Sequence, residues 1–181
     1  MAGVVVVRAS DGRDLPAITA IYRHHVLHGA ATFEIAPPGE GEMDRRREET
    51  LARGLPHLVA ELDGVTAGYA YAAPYRPRTA YRYTVEDSVY VAPALPRRGA
   101  GRALLEALIE ACTARGCRQM VAVIGDSANA ASIGLHAACG FVRVGMLPNV
   151  GFKFGRWVDS VLMQRALGRG GSAPPDGGDA A

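Results

Sequence analysis

The chain has 181 residues, 49% of them hydrophobic and 21% charged, which supplies enough apolar side chain for one core and suits a single domain over residues 1–167. A formal net charge of +2, with the arginines spread along the chain, argues against nucleic acid or an anionic membrane as partner. No apolar run approaches the ~20 residues of a membrane span, and the first valines follow no basic leader, so the chain reads as cytoplasmic.

Val4 to Arg8 reads as a first strand. Asp11 or Asp14 caps the helix that follows, with Pro16 in its permitted first turn and Leu15, Ile18, Ile21, Tyr22 and Val26 as its apolar stripe. His24, His25 and His28 fall near its end without the acidic or cysteine partners a metal would need, and histidine there suits the helix dipole; no metal is expected. Gly29 to Gly41 is a loop that carries Phe33 and Glu34 among small residues and prolines. It is read either as a mobile lid over a pocket or as Phe33 plugging the core with Glu34 in solvent. Glu42 to Gly54 is a charged helix whose Arg45-Arg46-Arg47 run reads as a solvated face.

His57–Leu62, Asp63-Gly64 and Val65–Ala72 form the pattern of a β-hairpin with a two-residue type I′ turn. Ala73 to Thr79 is a Pro- and Arg-bearing loop. From Tyr81 to Val91 the pattern alternates: Tyr83, Val85, Val89 and Val91 share one face, and Thr84, Glu86, Ser88 and Tyr90 the other. A Pro-containing loop, Ala92 to Arg98, leads to Gly99-Ala100-Gly101 and a helix with Leu104, Leu105, Leu108 and Ile109 on one side.

Strand, glycine turn and helix N-terminus together make an anion site, because glycine admits an oxyanion close to the backbone and the free N–H groups of the first turn point at it. Arg97, Arg98 and Arg102 add charge, and the stretch reads as a pyrophosphate cradle. A nucleotide triphosphatase loop would need Gly-Lys-Ser/Thr where Gly101-Arg102-Ala103 stands, and a dinucleotide fingerprint would need a third glycine at Leu104.

Further on, Gly116 ends the helix, Gln119 to Ile124 is a buried strand, and Asn129 caps a helix from Ala130 to Ala138. Phe141–Met146 and Trp157–Gln164 are strands joined by a loop, Leu147 to Arg156. From Gly168 the sequence GRGGSAPPDGGDAA has nothing to bury and is expected to be a disordered tail. Cys112, Cys117 and Cys139 lack metal spacing and read as buried thiols.

The glycine cradle resembles the coenzyme A-binding core of the GNAT acetyltransferases, whose signature is Arg/Gln-x-x-Gly-x-Gly/Ala before a helix. TVEDSVYV, VAVIGDSANAASIGLH and GFKFGRWVDSVLMQ resemble its phosphinothricin and methionine sulfoximine N-acetyltransferase branch, from roughly Val5 to Leu167. Two registers fit the signature: Pro96 at its first position with Arg97 and Arg98 next, or Arg98-x-x-Gly101-x-Ala103. The resemblance implies an α/β (α+β) fold, a mixed, mostly antiparallel sheet splayed at strand 81–91 with helices on both faces. It also implies a homodimer and acetyl-CoA-dependent acetylation of a small amino-acid-like amine.

The resemblance further places acetyl-CoA against Ser88, Val89, Tyr90 and Val91, at the turn from Arg97 to Arg102, and beside Asn129 and Ser132. It places Phe33, Glu34, Tyr75, Arg76, Pro77, Val85, Glu86 and Asp87 about the acceptor, Arg76 as a fork for its carboxylate. It also puts Lys153, Gly155, Trp157 and Asp159 near the pocket and the dimer interface. Acetyl transfer to an amine needs a base, aligned reactants, donors for developing charge and a proton for the leaving thiolate. Glu86 fits the base, Asp87 points the other way, a backbone N–H between Val89 and Val91 fits the charge, and His136 stands where a proton donor or an orienting group belongs. Rival readings are a polyamine, aminoglycoside or protein N-terminus as acceptor, or a module that only binds acyl-CoA.

Overall fold

The computed structural model describes residues 4–175. Seven strands form one sheet: β1 Val5–Ala9, β2 His57–Leu62, β3 Val65–Pro74, β4 Thr84–Val91, β5 Gln119–Gly125, β6 Val142–Lys153 and β7 Arg156–Ala166. Their order is β1-β2-β3-β4-β5-β7-β6, and every neighbouring pair is antiparallel except β4 with β5. The helices are α1 Leu15–His28, α2 Glu40–Ala52, α3 Ala100–Ala114 and α4 Ala130–Ala138.

Strand alternation divides the interior into two cores. Ala60 and Ala70 face α3, whose Leu104, Leu105, Leu108 and Cys112 are fully buried, while Val59 and Tyr69 face Ile18, Ile21, Tyr22 and Val26 of α1 and Met43 of α2. The small residues on the α3 side are a packing requirement. A Cβ at Gly68 would stand 2.7 Å from the Tyr90 carbonyl oxygen and 3.1 Å from Leu104 Cδ1, so this strand carries nothing larger under the helix. Truncating Leu104 to alanine there would cost ~2–5 kcal/mol.

Local signals are realised where the chemistry is local. Asp63 and Gly64 take φ of 52° and 79°, as a type I′ hairpin turn requires. Gly116 at φ 80° closes α3, its N–H bonding the Thr113 carbonyl and that of Cys117 the Cys112 carbonyl, a Schellman pair. Asn129 caps α4 through its side-chain oxygen to the Ser132 N–H, 3.2 Å away.

Four expectations are corrected. The central strand starts at Thr84, not Tyr81, because Thr79–Tyr81 is a 3₁₀ turn. The expected loop Leu147–Arg156 is mostly strand: β6 runs on to Lys153, with an irregularity between Leu147 and Gly151 that absorbs its Pro-Asn pair, and only Phe154-Gly155 turns. The second helix spans Glu40–Ala52, two residues earlier than expected at either end. Its arginine run is not a solvated face throughout, since Arg47 is buried and donates from Nε to Ser10 Oγ at 3.0 Å and from Nη2 to the Ser10 carbonyl at 2.9 Å. Beyond Gly168, where a tail was expected, Arg118 donates to the carbonyls of Gly170 and Ala173; the part of that tail from residue 176 on lies outside the described residues. No helix among the described residues is long and apolar enough to cross a membrane.

Candidate active site

The parallel ladder between β4 and β5 runs only from Thr84↔Gln119 to Asp87↔Ala122. Past it the strands part, so the backbone of Ser88–Val91 has β3 on one edge and no strand on the other. A cleft of about 420 Å³ fills the gap. Its walls are β4 from Glu86 to Val91, β5 from Ala122 to Gly125, one side of α4 and the loop Ala31–Phe33. Because the cleft passes between strands, residues from both faces of β4 reach it, and Glu86 and Asp87 both line it despite pointing opposite ways.

Glu86 sits half-buried on the Tyr71 side of β4. Burial pushes its carboxyl pKa up, the neighbouring Asp87 charge adds to this, and the Arg76 guanidinium pulls back. That is the direction a general base needs.

Asp87 is buried and takes up His136, with Nε2 2.9 Å from Oδ2. The other ring nitrogen, Nδ1, lies 2.8 Å from the Ser132 carbonyl, which can only accept, so Nδ1 carries a hydrogen. Nε2 and Oδ2 therefore share one proton between them, whichever holds it. Burial alone would lower the His136 pKa; the Asp87 hydrogen bond and charge, with the Ser132 carbonyl, outweigh it and raise it. Asp87 Oδ1 is buried without a partner among the described residues. The histidine is thus held from both ring nitrogens in the cleft wall.

The glycine turn read as an anion cradle follows the end of β4. Arg97 and Gly99 adopt φ of 57° and 87°, turning the chain so that α3 starts at Ala100 with its first N–H groups uncapped. Gly101 packs against the cleft residues Val91 and Leu135: a Cβ there would stand 3.2 Å from Val91 Cγ2 and 3.4 Å from Leu135 Cδ2. The side chains of Arg97 and Arg98 are exposed and bond no described residue, whereas Arg102 donates to Glu106 at 2.7 Å. Two free guanidinium groups, uncapped N–H donors and a cleft bordered by bare strand backbone fit a long diphosphate-bearing thioester such as acetyl-CoA.

Of the residues singled out in the sequence, Phe33, Glu86, Asp87, Ser88, Val89, Tyr90, Val91, Asn129, Ser132 and His136 line this one cleft. Phe33 is 40% exposed and belongs to neither core, which removes the plug reading. Val85 is a correction: strand parity carries its side chain into the core beneath α3, 3% exposed, and it does not line the cleft. Glu34 is corrected too, in that its carboxylate binds Arg46 and accepts from Tyr22 Oη at 2.9 Å instead of lining the cleft. Tyr75, Arg76 and Pro77 lie outside the lining, with the exposed Arg76 guanidinium 4.4 Å over the Tyr75 ring. Sequence reasoning passed over Tyr71 and His25, which line the cleft; His25 Nε2 lies 2.9 Å from the Val91 carbonyl, where β4 leaves its partner.

The model of the acetyltransferase (GNAT) family matches residues 23–141. A phosphinothricin N-acetyltransferase of Alcaligenes faecalis is 58% identical over 94% of this chain and 86% of its own. An L-methionine sulfoximine/L-methionine sulfone acetyltransferase of Salmonella typhimurium is 44% identical over 90% of this chain and 95% of its own. The crystal structure of a GNAT superfamily phosphinothricin acetyltransferase from Sinorhizobium meliloti, in complex with acetyl-CoA, superposes with a TM-score of 0.93 at 46% identity, covering 99% of this chain and 96% of that one. With a splayed sheet, a glycine cradle at the end of β4 and a carboxylate in the gap, this chain belongs to the GNAT family of acetyltransferases.

Proposed function

We propose that the protein transfers the acetyl group of acetyl-CoA to the α-amine of a small amino-acid-like substrate of the phosphinothricin or methionine sulfoximine/sulfone type. The observation that carries this reading is Glu86, a carboxyl with a raised pKa in the same cleft as the unpaired backbone of β4 and the His136–Asp87 pair. Acetyl-CoA supplies an activated acetyl group as a thioester, and Gly99–Gly101, Arg97 and Arg98 are the groups to hold its diphosphate. Glu86 takes the proton that the amine must lose, an N–H between Val89 and Val91 meets the charge that develops on the acetyl oxygen, and His136 holds a proton for the departing sulfur. The relatives named for phosphinothricin and for methionine sulfoximine support the acceptor class.

Release of free thiol from acetyl-CoA, measured against methionine sulfoximine, methionine sulfone, phosphinothricin, ordinary amino acids, spermidine and an aminoglycoside, tests the proposal. Turnover confined to the amino-acid-like members is expected, and turnover with the polycations alone overturns the acceptor class. Arg76, exposed and close enough to Glu86 to act on its charge, is the proposed carboxylate fork. Arg76→Ala is expected to raise KM for an amino acid ~10-fold and for its amide much less; equal effects remove that role.

The reading includes a homodimer. Edge strand β6 exposes Val142, Val144, Met146, Leu147, Val150 and Phe152, an apolar row that a soluble monomer would leave open to water, and a second copy is its proposed cover. Sedimentation velocity should show a dimer that Val144→Lys with Phe152→Lys splits, whereas a wild-type monomer at every concentration refutes it. Cytoplasmic residence is also proposed, consistent with three free, buried cysteines, and cell fractionation tests it.

A further inference from the structure

The loop that follows α1 reaches the cleft through Ala31, Thr32 and Phe33 but belongs to no strand or helix. Apart from the Glu34 carboxylate, held by Arg46 and Tyr22, its own bonds are few: Tyr22 Oη lies 3.0 Å from Thr32 Oγ1, and the Glu34 N–H reaches the same oxygen at 3.3 Å. What ties it to the far arm of the sheet is Lys153, the last residue of β6. That side chain is 4% exposed, and its Nζ donates to the carbonyls of Gly29 and Thr32, each at 2.8 Å. Burying an ammonium is costly unless its donors are satisfied. Burial lowers the Lys153 pKa, with Glu34 opposing. A hydrophobic side chain would anchor a strand end without that cost, so the charge points to a task in holding the two carbonyls.

The floor beneath the loop is equally particular. A Cβ on Gly151 of β6 would overlap the Phe33 ring, and a Cβ on Gly125 of β5 would come 3.5 Å from Phe33 Cε2 and collide with the Ala30 carbonyl. Neither glycine has the positive φ that would explain it by backbone conformation. The two positions are bare because the loop and its aromatic ring lie on them. One end of β6 thus grips the loop backbone from both sides of the turn, and a position two residues earlier seats the ring.

We propose that Lys153 is a positioning residue that clamps the Gly29–Thr32 turn so that Phe33 is held on Gly151 as a wall of the cleft, and that this wall selects which acceptor side chains bind. The proposal rests on the reading of the cleft as an amine acceptor site, and it assigns the discrimination among amines to a contact between β6 and a loop far away in sequence.

The test is a set of double-mutant cycles. The variants Lys153→Met, Gly151→Ala and Phe33→Ala, and the last combined with each of the others, are assayed for kcat, for KM of the amine and for KM of acetyl-CoA. The amine is whichever member of the panel the wild type acetylates. Lys153→Met and Gly151→Ala are each expected to raise the amine KM ~10-fold and leave that of acetyl-CoA within ~2-fold. In the Phe33→Ala background either substitution should then change the amine KM by less than ~2-fold, because the ring it positions is gone. Full additivity, or a loss of kcat with no change in amine KM, overturns the proposal. Gly151→Ala leaves the clamp intact and serves if Lys153→Met does not fold. If the wild type turns over no amine, the functional reading has failed on its own, and amide hydrogen exchange over residues 29–34 still decides the clamp. Lys153→Met should speed that exchange, and unchanged protection overturns it.

Discussion

Glu86→Gln is expected to lower kcat by ~10²-fold or more while acetyl-CoA affinity stays within ~2-fold. The amide keeps the volume and the polarity of the carboxyl but cannot take a proton. The α-amine of an amino acid is mostly protonated at neutral pH, so a variant without a base draws only on the small neutral fraction. The pH profile separates this from a loss of shape. Glu86 is raised above its ordinary pKa of 4.5 by burial and by Asp87, and it accepts a proton only when ionised. The wild-type rate should therefore climb with pH through an ionisation above that value and then level, and the variant should lose that limb.

Stability moves the other way. A carboxyl whose folded pKa lies above its unfolded one loses stability as pH rises from the unfolded value through the folded one, because the native state then has to hold a charge it disfavours. Glutamine carries no such charge, so the variant should melt no lower than wild type at neutral pH. Wild-type turnover in the variant would move the base elsewhere. A lower melting temperature with a parallel loss of acetyl-CoA binding would make Glu86 structural.

What the sequence disclosed follows the range over which its chemistry acts. The Asp63-Gly64 turn, the Asn129 cap and the Gly116 helix end are each settled by residues a few positions apart, and all three stand where the pattern puts them. The second half of β6, past Met146, is hidden because Pro148, Asn149 and Gly151 read as loop; at the edge of a sheet a missing N–H is tolerated, and the irregularity before Gly151 takes up the residues that do not pair. The burial of Arg47 depends on Ser10, on another element, and nothing in the arginine run distinguishes it from its neighbours.

Asp87 is the instructive case. Strand parity placed it correctly away from Glu86, yet parity implies opposite environments only where a sheet is continuous. The parting of β4 from β5 lets one cleft reach both faces, and that parting is a property of the pairing, not of either strand alone. The Lys153 clamp has the same origin: its partners, Gly29 and Thr32, meet it only through the finished fold.

A second large effect is expected at Gly101: valine there should weaken acetyl-CoA binding by ~100-fold or more, about 2.7 kcal/mol, in a protein that remains folded. Gly101 is in the first turn of α3, where the uncapped N–H groups and the free arginines are the proposed anion site. Even a bare Cβ at this position would be tight against Val91 Cγ2 and Leu135 Cδ2, which border the cleft from β4 and α4. Valine adds two further methyl groups with one favoured rotamer in a helix, so they must enter the cleft or push its walls together. The intrinsic helix cost is no obstacle, since valine is a better helix former than glycine. Circular dichroism should therefore look native, and Gly101→Ala should fall between the two in affinity. Calorimetric titration with acetyl-CoA reads the outcome, and wild-type affinity in the valine variant would place the cradle elsewhere. With Glu86→Gln binding normally and turning over slowly, and Gly101→Val binding ~100-fold more weakly, the two substitutions would divide the site along its physical seam, between the glycine-lined helix end proposed to hold the coenzyme and the half-buried carboxylate proposed to move the proton.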